Sequence, residues 1–260
     1  MRECEEYAAY KHLGFNREQI AECYMALGGV AYYWSLLQEG QSAAQNFDRL
    51  FFGADDEMRG EYDRLFSSLF KSPTRHLKIV ELLNGRKDGV SREDILAKFP
   101  RGSGGKISKS LDELCQCGFL RRYNLPGKVK KGAIYQLIDP YVLFYFEFLK
   151  NRKGTELHFW TISYASPRTN AWRGRAFENL CLWHVPQIKA ALGISGILTD
   201  EFCWRGESDE WRKIQTRIAV YREQTRTTKG VRVVMVAANG LKDNAYSGNV
   251  NAVVTLNSLF

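Results

Sequence analysis

Apolar positions recur at helical spacing through the first seventy residues. Over Arg17–Leu27, the side chains of Ile20, Cys23, Tyr24 and Leu27 fall on one stripe, and Gly28-Gly29 breaks the helix behind them. An aromatic run resumes over 31–37. Segment 46–52 leads into the turn-like 53–56, and 61–70 turns Tyr62, Leu65, Phe66, Leu69 and Phe70 inward. No strand pattern interrupts this region.

From residue 73 the rhythm changes. Residues 75–83 form a helical pattern closed by Asn84-Gly85. Ser91 is placed to cap the next helix by accepting from the amide of Asp94, and Asp94 stands at the capping-box position. That helix runs to Lys98 or Phe99 and stops at Pro100. After a loop over 101–105, a third helix over 106–117 puts Ile107, Leu111 and Leu114 on its core face, and Gly118 ends it. Two strand-like segments, 119–123 and 133–138, are joined by the basic, glycine-containing connection 124–132. Three short helices followed by a hairpin with a basic tip is the order of a winged helix-turn-helix.

The remainder opens with the aromatic helix 140–150, which reads as core. A long helix over 172–192 follows, bent near Pro186, and then a charged helix from 209 to about 224. Strands are expected at 230–237 and near the end, at 253–260. The class predicted is α+β, in three parts: a helical segment 1–72, the winged helix-turn-helix 73–140, and a mixed α/β part 141–260.

Composition narrows the picture. Hydrophobic residues make up 45% of the chain and charged residues 25%, which suits a globular protein and excludes a disordered one. No apolar stretch reaches the roughly 18 residues needed to cross a bilayer, and the acidic, polar start is no secretory signal, so a cytoplasmic protein with no membrane partner is expected. The six cysteines follow no framework spacing and read as reduced, mostly buried thiols. Cys115 and Cys117, two apart on a helix, point too far from one another to share a metal.

The net charge of +8 is unevenly spread. Residues 101–131 hold eight basic side chains against two acids, a net of +6, which points to a polyanionic partner. In a winged helix the third helix enters the major groove of double-stranded DNA. Its candidate contacts here are Ser103, Lys106, Ser108, Lys109 and Ser110, with Lys109 and Ser110 expected on the side away from the core residues. Arg121, Arg122, Lys128, Lys130 and Lys131 would reach phosphates from the hairpin. The alternative is a module that packs against a protein partner or a second copy, since winged helices also serve as scaffolds.

Other chemistry finds less support. A phosphate-binding loop needs G-x-x-x-x-G-K-[ST] between strand and helix. Before Gly105-Lys106 the first position is Pro100, the last is Ile107, and a helix precedes the loop, so no ATP site is expected. Glu178 is the best single carboxylate for acid–base or metal work, although a lone helix carboxylate is ordinarily a surface group. Glu207, Asp209 and Glu210 cluster where acids favour a helix start.

Taken in order, these segments resemble a known family. Residues 23–33 and 45–52 are similar to the helical lid that follows the ATPase domain in archaeal-type AAA-family ATP-binding proteins of Bacteroides-like bacteria. The winged-helix segment, the stretch 172–178 with Cys181 and His184, and the tail 239–246 with Leu259-Phe260 continue the match. The resemblance implies an ATPase domain, a lid, a winged helix and a restriction-endonuclease-like domain. Here the chain starts within the lid, and it passes from 204–207 directly to 209–223, where the family carries its metal-binding Asp and Glu-x-Lys pair. Only Glu178 matches a nuclease residue. The expectation is therefore a non-catalytic DNA-binding or regulatory part with no cofactor of its own, ATP and Mg²⁺ belonging to the missing parts. A degenerate Mg²⁺-dependent nuclease is the alternative.

Overall fold

The computed structural model describes residues 1–54, 57–58, 60–124, 132–152, 154, 156–198, 230–242 and 247–260, with scattered positions between 216 and 228. The architecture is α+β. Five helices open it: α1 (Arg2–Tyr10), α2 (Arg17–Leu27), α3 (Ala31–Ser35), α4 (Ala43–Phe47) and α5 (Glu61–Leu69). Helix α4 runs into a wide π turn at Asp48–Phe52.

Polar side chains set where these helices begin. Asn16 accepts from the Gln19 amide at 2.9 Å while the Gln19 side chain accepts from the Asn16 amide at 3.1 Å, a reciprocal capping box. Ser42 and Gln45 repeat it at α4. Helix α2 ends at Gly28, whose φ of +62° a residue with a Cβ rarely adopts. The Trp34 indole then donates to the Gly28 carbonyl at 2.8 Å, folding α3 back over that end.

The middle of the chain holds α6 (Thr74–Leu83), β1 (Val90–Ser91), α7 (Arg92–Ala97), α8 (Gly104–Gln116), β2 (Leu120–Asn124) and β3 (Ala133–Leu137). The strands form one antiparallel sheet in the order β1-β3-β2, with Leu120 opposite Leu137 and Val90 opposite Tyr135. Gly89 is required where the chain enters β1: a Cβ there would lie 2.6 Å from Ile134 Cγ2 and 2.7 Å from the Tyr135 carbonyl oxygen. Ile79, Val80, Ile95, Ile107, Leu111 and Leu114 fill the space between helices and sheet, each without exposed surface. His76 of α6 ties to Glu113 of α8 at 2.8 Å and stacks on Phe70.

Two local expectations change here. Helix α8 starts at Gly104, two residues ahead of Lys106, so both glycines belong to its first turn. Ser91 caps α7 as expected, accepting from the Asp94 amide at 3.0 Å. The Asp94 carboxylate, however, takes the Ser91 hydroxyl at 2.7 Å, because Asp is one carbon shorter than the Glu of a capping box.

The last part begins with α9 (Pro140–Phe144), capped by Asp139 and running into a second π turn at Tyr145–Leu149. Helices α10 (Phe159–Ser163), α11 (Pro167–Trp183) and α12 (Val185–Ala191) follow, the break between the last two falling beside Pro186. Strands β4 (Val234–Ala237) and β5 (Ala252–Thr255) pair in parallel, shorter than the segments expected for them. The charged helix expected from 209 lies almost wholly outside the described residues. No helix among the described residues is long and apolar enough to cross a membrane.

Helices α9 and α11 pack on α2, and the apolar core is continuous across residues 72 and 140. At the centre of that contact Trp160 meets Phe47, Phe144, Phe148 and Trp172 with ring centroids 5.2–5.4 Å apart. Two buried carboxylates satisfy the polar groups this cluster encloses. Asp48 accepts from the Trp160 amide at 2.6 Å and the Thr161 amide at 3.2 Å, supplying the start of α10. Glu22 pairs with Arg173 at 2.8 Å and accepts from the Trp160 indole at 3.3 Å.

Candidate nucleic-acid interface

Helix α8 is amphipathic, and the sequence explains its orientation. Ile107, Leu111 and Leu114, at spacings of four and three, face the core. Lys106, just before Ile107, and Lys109, between Ile107 and Leu111, are exposed; the Lys109 ammonium lies 3.8 Å from Glu113. Arg101 and Gly102, just ahead of the helix, are exposed as well.

The first turn is open. Ser103 gives α8 no side-chain cap, since its hydroxyl donates instead to the Pro100 carbonyl at 2.6 Å. A Cβ added at Gly102, Gly104 or Gly105 would meet nothing within 4 Å. First-turn amides of a helix have no intrahelical acceptor, and the helix dipole makes that end positive. Bare amides beside Arg101, Lys106 and Lys109 form an end that suits a phosphate or another anion. The signal for this in the sequence is Gly102, Gly104 and Gly105, whose spacing does not fit a nucleotide-binding loop but leaves the backbone of the turn bare.

The remaining expected contacts divide. Ser108 is half-buried and occupied: it donates to the Gly104 carbonyl at 2.9 Å and accepts from Arg92 at 2.7 Å, which pins α7 to the first turns of α8. Ser110 is a correction. Expected on the outer side, it is 1% exposed, and its hydroxyl has no hydrogen-bond partner. Position 110 is three past Ile107 and four before Leu114, which places it on the core stripe.

On β2, Arg122 is exposed and Arg121 half-buried. The charge of Arg122 is felt at Cys115, about 14 Å along the helix from Lys106 at 1.5 Å per residue. It therefore extends the basic surface away from the first turn and does not thicken it. Lys128, Lys130 and Lys131 lie outside the described residues.

Glu178 sits half-buried on α11, near Cys181, whose thiol is pushed up to about 12 by burial first and by the Glu178 carboxylate second. Among the described residues no three His, Cys, Asp or Glu come together, and the segment around 204–209 lies outside them. Cys4 and Cys23 are buried free thiols, Cys115 and Cys181 half-buried, and Cys117 is exposed.

Fold and site together define an α+β protein with a helix-and-sheet module in which the start of α8 is exposed and basic. No family model, no curated protein and no solved structure matches the chain.

Proposed function

We propose that residues 73–138 form a winged helix-turn-helix that binds double-stranded DNA through the first turns of α8, and that this chain is a non-catalytic DNA-binding or regulatory part. The observation that carries the reading is the uncapped first turn of α8, with Lys106 and Lys109 exposed opposite its buried stripe. The antiparallel β1-β3-β2 sheet against α8 supports the fold assignment. Arg122 on β2 adds positive charge, and the sequence joining β2 to β3 carries three further lysines, Lys128, Lys130 and Lys131; such charge contributes affinity with little sequence choice. Membership of the AAA-type family rests on the sequence resemblance and is part of the same proposal.

The test is fluorescence anisotropy with a labelled duplex across a range of salt concentrations. Binding is expected to weaken linearly in log–log form with salt, by about 0.9 in slope for each phosphate contact. Replacing Lys106 and Lys109 together by Ala should flatten that slope by nearly 2 if each meets one phosphate. An unchanged slope would remove α8 as the contact surface. Failure of the unsubstituted chain to bind any duplex at low salt would remove DNA as the partner.

A further inference from the structure

A cavity of about 360 Å³ lies between the helical body and the sheet module, within the size range of small-molecule sites. Its walls come from α2, the turn after α6, the end of β3, α9 with the π turn that follows it, and α11. Tyr24, Phe146, Trp172 and Trp183 give it aromatic sides, with Tyr24 and Trp183 edge to face at 6.1 Å.

The charges on these walls favour an anion. Glu147 is the one acid among the lining residues, and it is shared: Arg168 reaches it at 3.1 Å and Arg175 at 2.9 Å. The carboxylate of that one acid is therefore already engaged by two guanidinium groups, of which Arg175 lies in the wall itself. Arg86 and Lys87, both exposed, line it from the opposite side.

Unmet hydrogen-bonding groups also gather here. Gln136 is 3% exposed, and its amide nitrogen donates to the Lys87 carbonyl at 2.8 Å, which fixes the orientation and leaves Oε1 as the atom without a partner. Asn179 Oδ1 and Trp183 Nε1 are likewise buried and unpartnered. A buried polar atom without a partner costs about 1–3 kcal/mol. Small rotations of the wall that bring these atoms to a ligand therefore recover energy already lost.

We propose that this cavity binds a small fused-ring aromatic carboxylate carrying a ring N–H. The ring lies between the aromatic walls, its N–H meets the Gln136 or Asn179 oxygen, and its carboxylate takes Arg175 and the Trp183 indole N–H. This inference stands apart from DNA binding and is read out without DNA.

Indole-3-acetate is the probe, titrated calorimetrically into the full chain, with neutral indole in parallel. Saturable one-to-one binding of indole-3-acetate is expected, about tenfold tighter than that of indole. Arg175→Met should weaken indole-3-acetate about tenfold and leave indole unchanged, and Ala176→Phe, which fills the cavity, should abolish binding of both. Circular dichroism melting establishes that each variant is folded, and Leu143→Trp replaces Ala176→Phe if the latter is not. No saturable binding by the unsubstituted chain, or undiminished binding by a folded cavity-filled variant, overturns the site. Equal affinity for indole and indole-3-acetate overturns its anion selectivity.

Discussion

The basic end of α8 and the aromatic junction between α2 and α11 solve opposite problems. At α8, charge stays at the surface: Lys106 and Lys109 are exposed, and the apolar stripe beneath them is fully covered. At the junction, charge is taken inside, with Glu22 at 7% and Arg173 at 21% side-chain exposure. A surface cation is worth little to stability and is free to meet a partner. A buried pair is worth little as a pair, yet removing one member leaves an uncompensated charge in the interior. The first region is therefore the one open to a partner, and the second the one on which structural integrity depends.

The largest expected effect tests the second half of that statement. Glu22→Ala leaves the Arg173 guanidinium to the Tyr164 carbonyl and ring and the Trp160 indole N–H without an acceptor, and should cost about 3 kcal/mol in chemical denaturation. Replacing Glu22 and Arg173 together by Leu and Met should cost much less than the single change, because no charge is left behind. A single-variant loss under about 1 kcal/mol would show that the junction does not depend on the pair. On the other side, Lys106→Ala with Lys109→Ala should lower duplex affinity at least tenfold, about 1.4 kcal/mol, with the unfolding midpoint unmoved. If the midpoint falls as far as the affinity, the two regions are not separable in this way.

How much of each region was legible follows from the same contrast. The helix order of 73–138, the hairpin and the Ser91 cap are local matters, set by periodicity and by residues three or four apart, and they were read from the chain. The outward turn of Lys109 was legible for the same reason. Ser110 departs from the outward side expected for it, because it stands three past Ile107 and four before Leu114, and that spacing puts it on the core stripe. The junction was hidden. Glu22 and Arg173 are 151 positions apart, as are many acid–base pairs that never meet, and no periodicity distinguishes Asp48 as the residue that accepts from Trp160 and Thr161. The cavity was hidden for a related reason, since its walls come from four separate stretches of chain. The open turn of α8 lay between these cases: its glycines were seen, but their meaning depended on where the helix began.

Ser110 sharpens the comparison at a smaller scale, as a polar group buried in the region that otherwise keeps polarity outside. Its hydroxyl has no hydrogen-bond partner, so removing it relieves a desolvation penalty. Ser110→Ala should raise stability by about 1 kcal/mol and leave duplex affinity unchanged. A drop in affinity with no change in stability would return Ser110 to the contact surface.

The smallest effect concerns Asp139, at the seam between the two regions. Its carboxylate accepts from the Val142 amide at 2.7 Å and caps α9, while Tyr33 and Tyr141 lie near enough to feel its charge. Burial pushes its pKa up from an ordinary 3.8 to about 6, against the backbone hydrogen bonds that pull it down. Because the folded value is the higher one, the folded chain holds this proton where the unfolded chain has lost it. The stabilisation is complete below pH 4, fades as the pH rises through about 6, and is absent above. Asparagine keeps the cap, since its side-chain oxygen accepts from the same amide, but has no proton to lose. Asp139→Asn should therefore remove a downward slope of stability between pH 4 and 6, by about 1 kcal/mol or less because the residue is only half-buried. Denaturation midpoints at pH 4, 5, 6 and 7 measure that slope. Parallel profiles for the two proteins would mean that the capping hydrogen bonds offset burial completely, and that the seam carries charge as easily as the surface of α8.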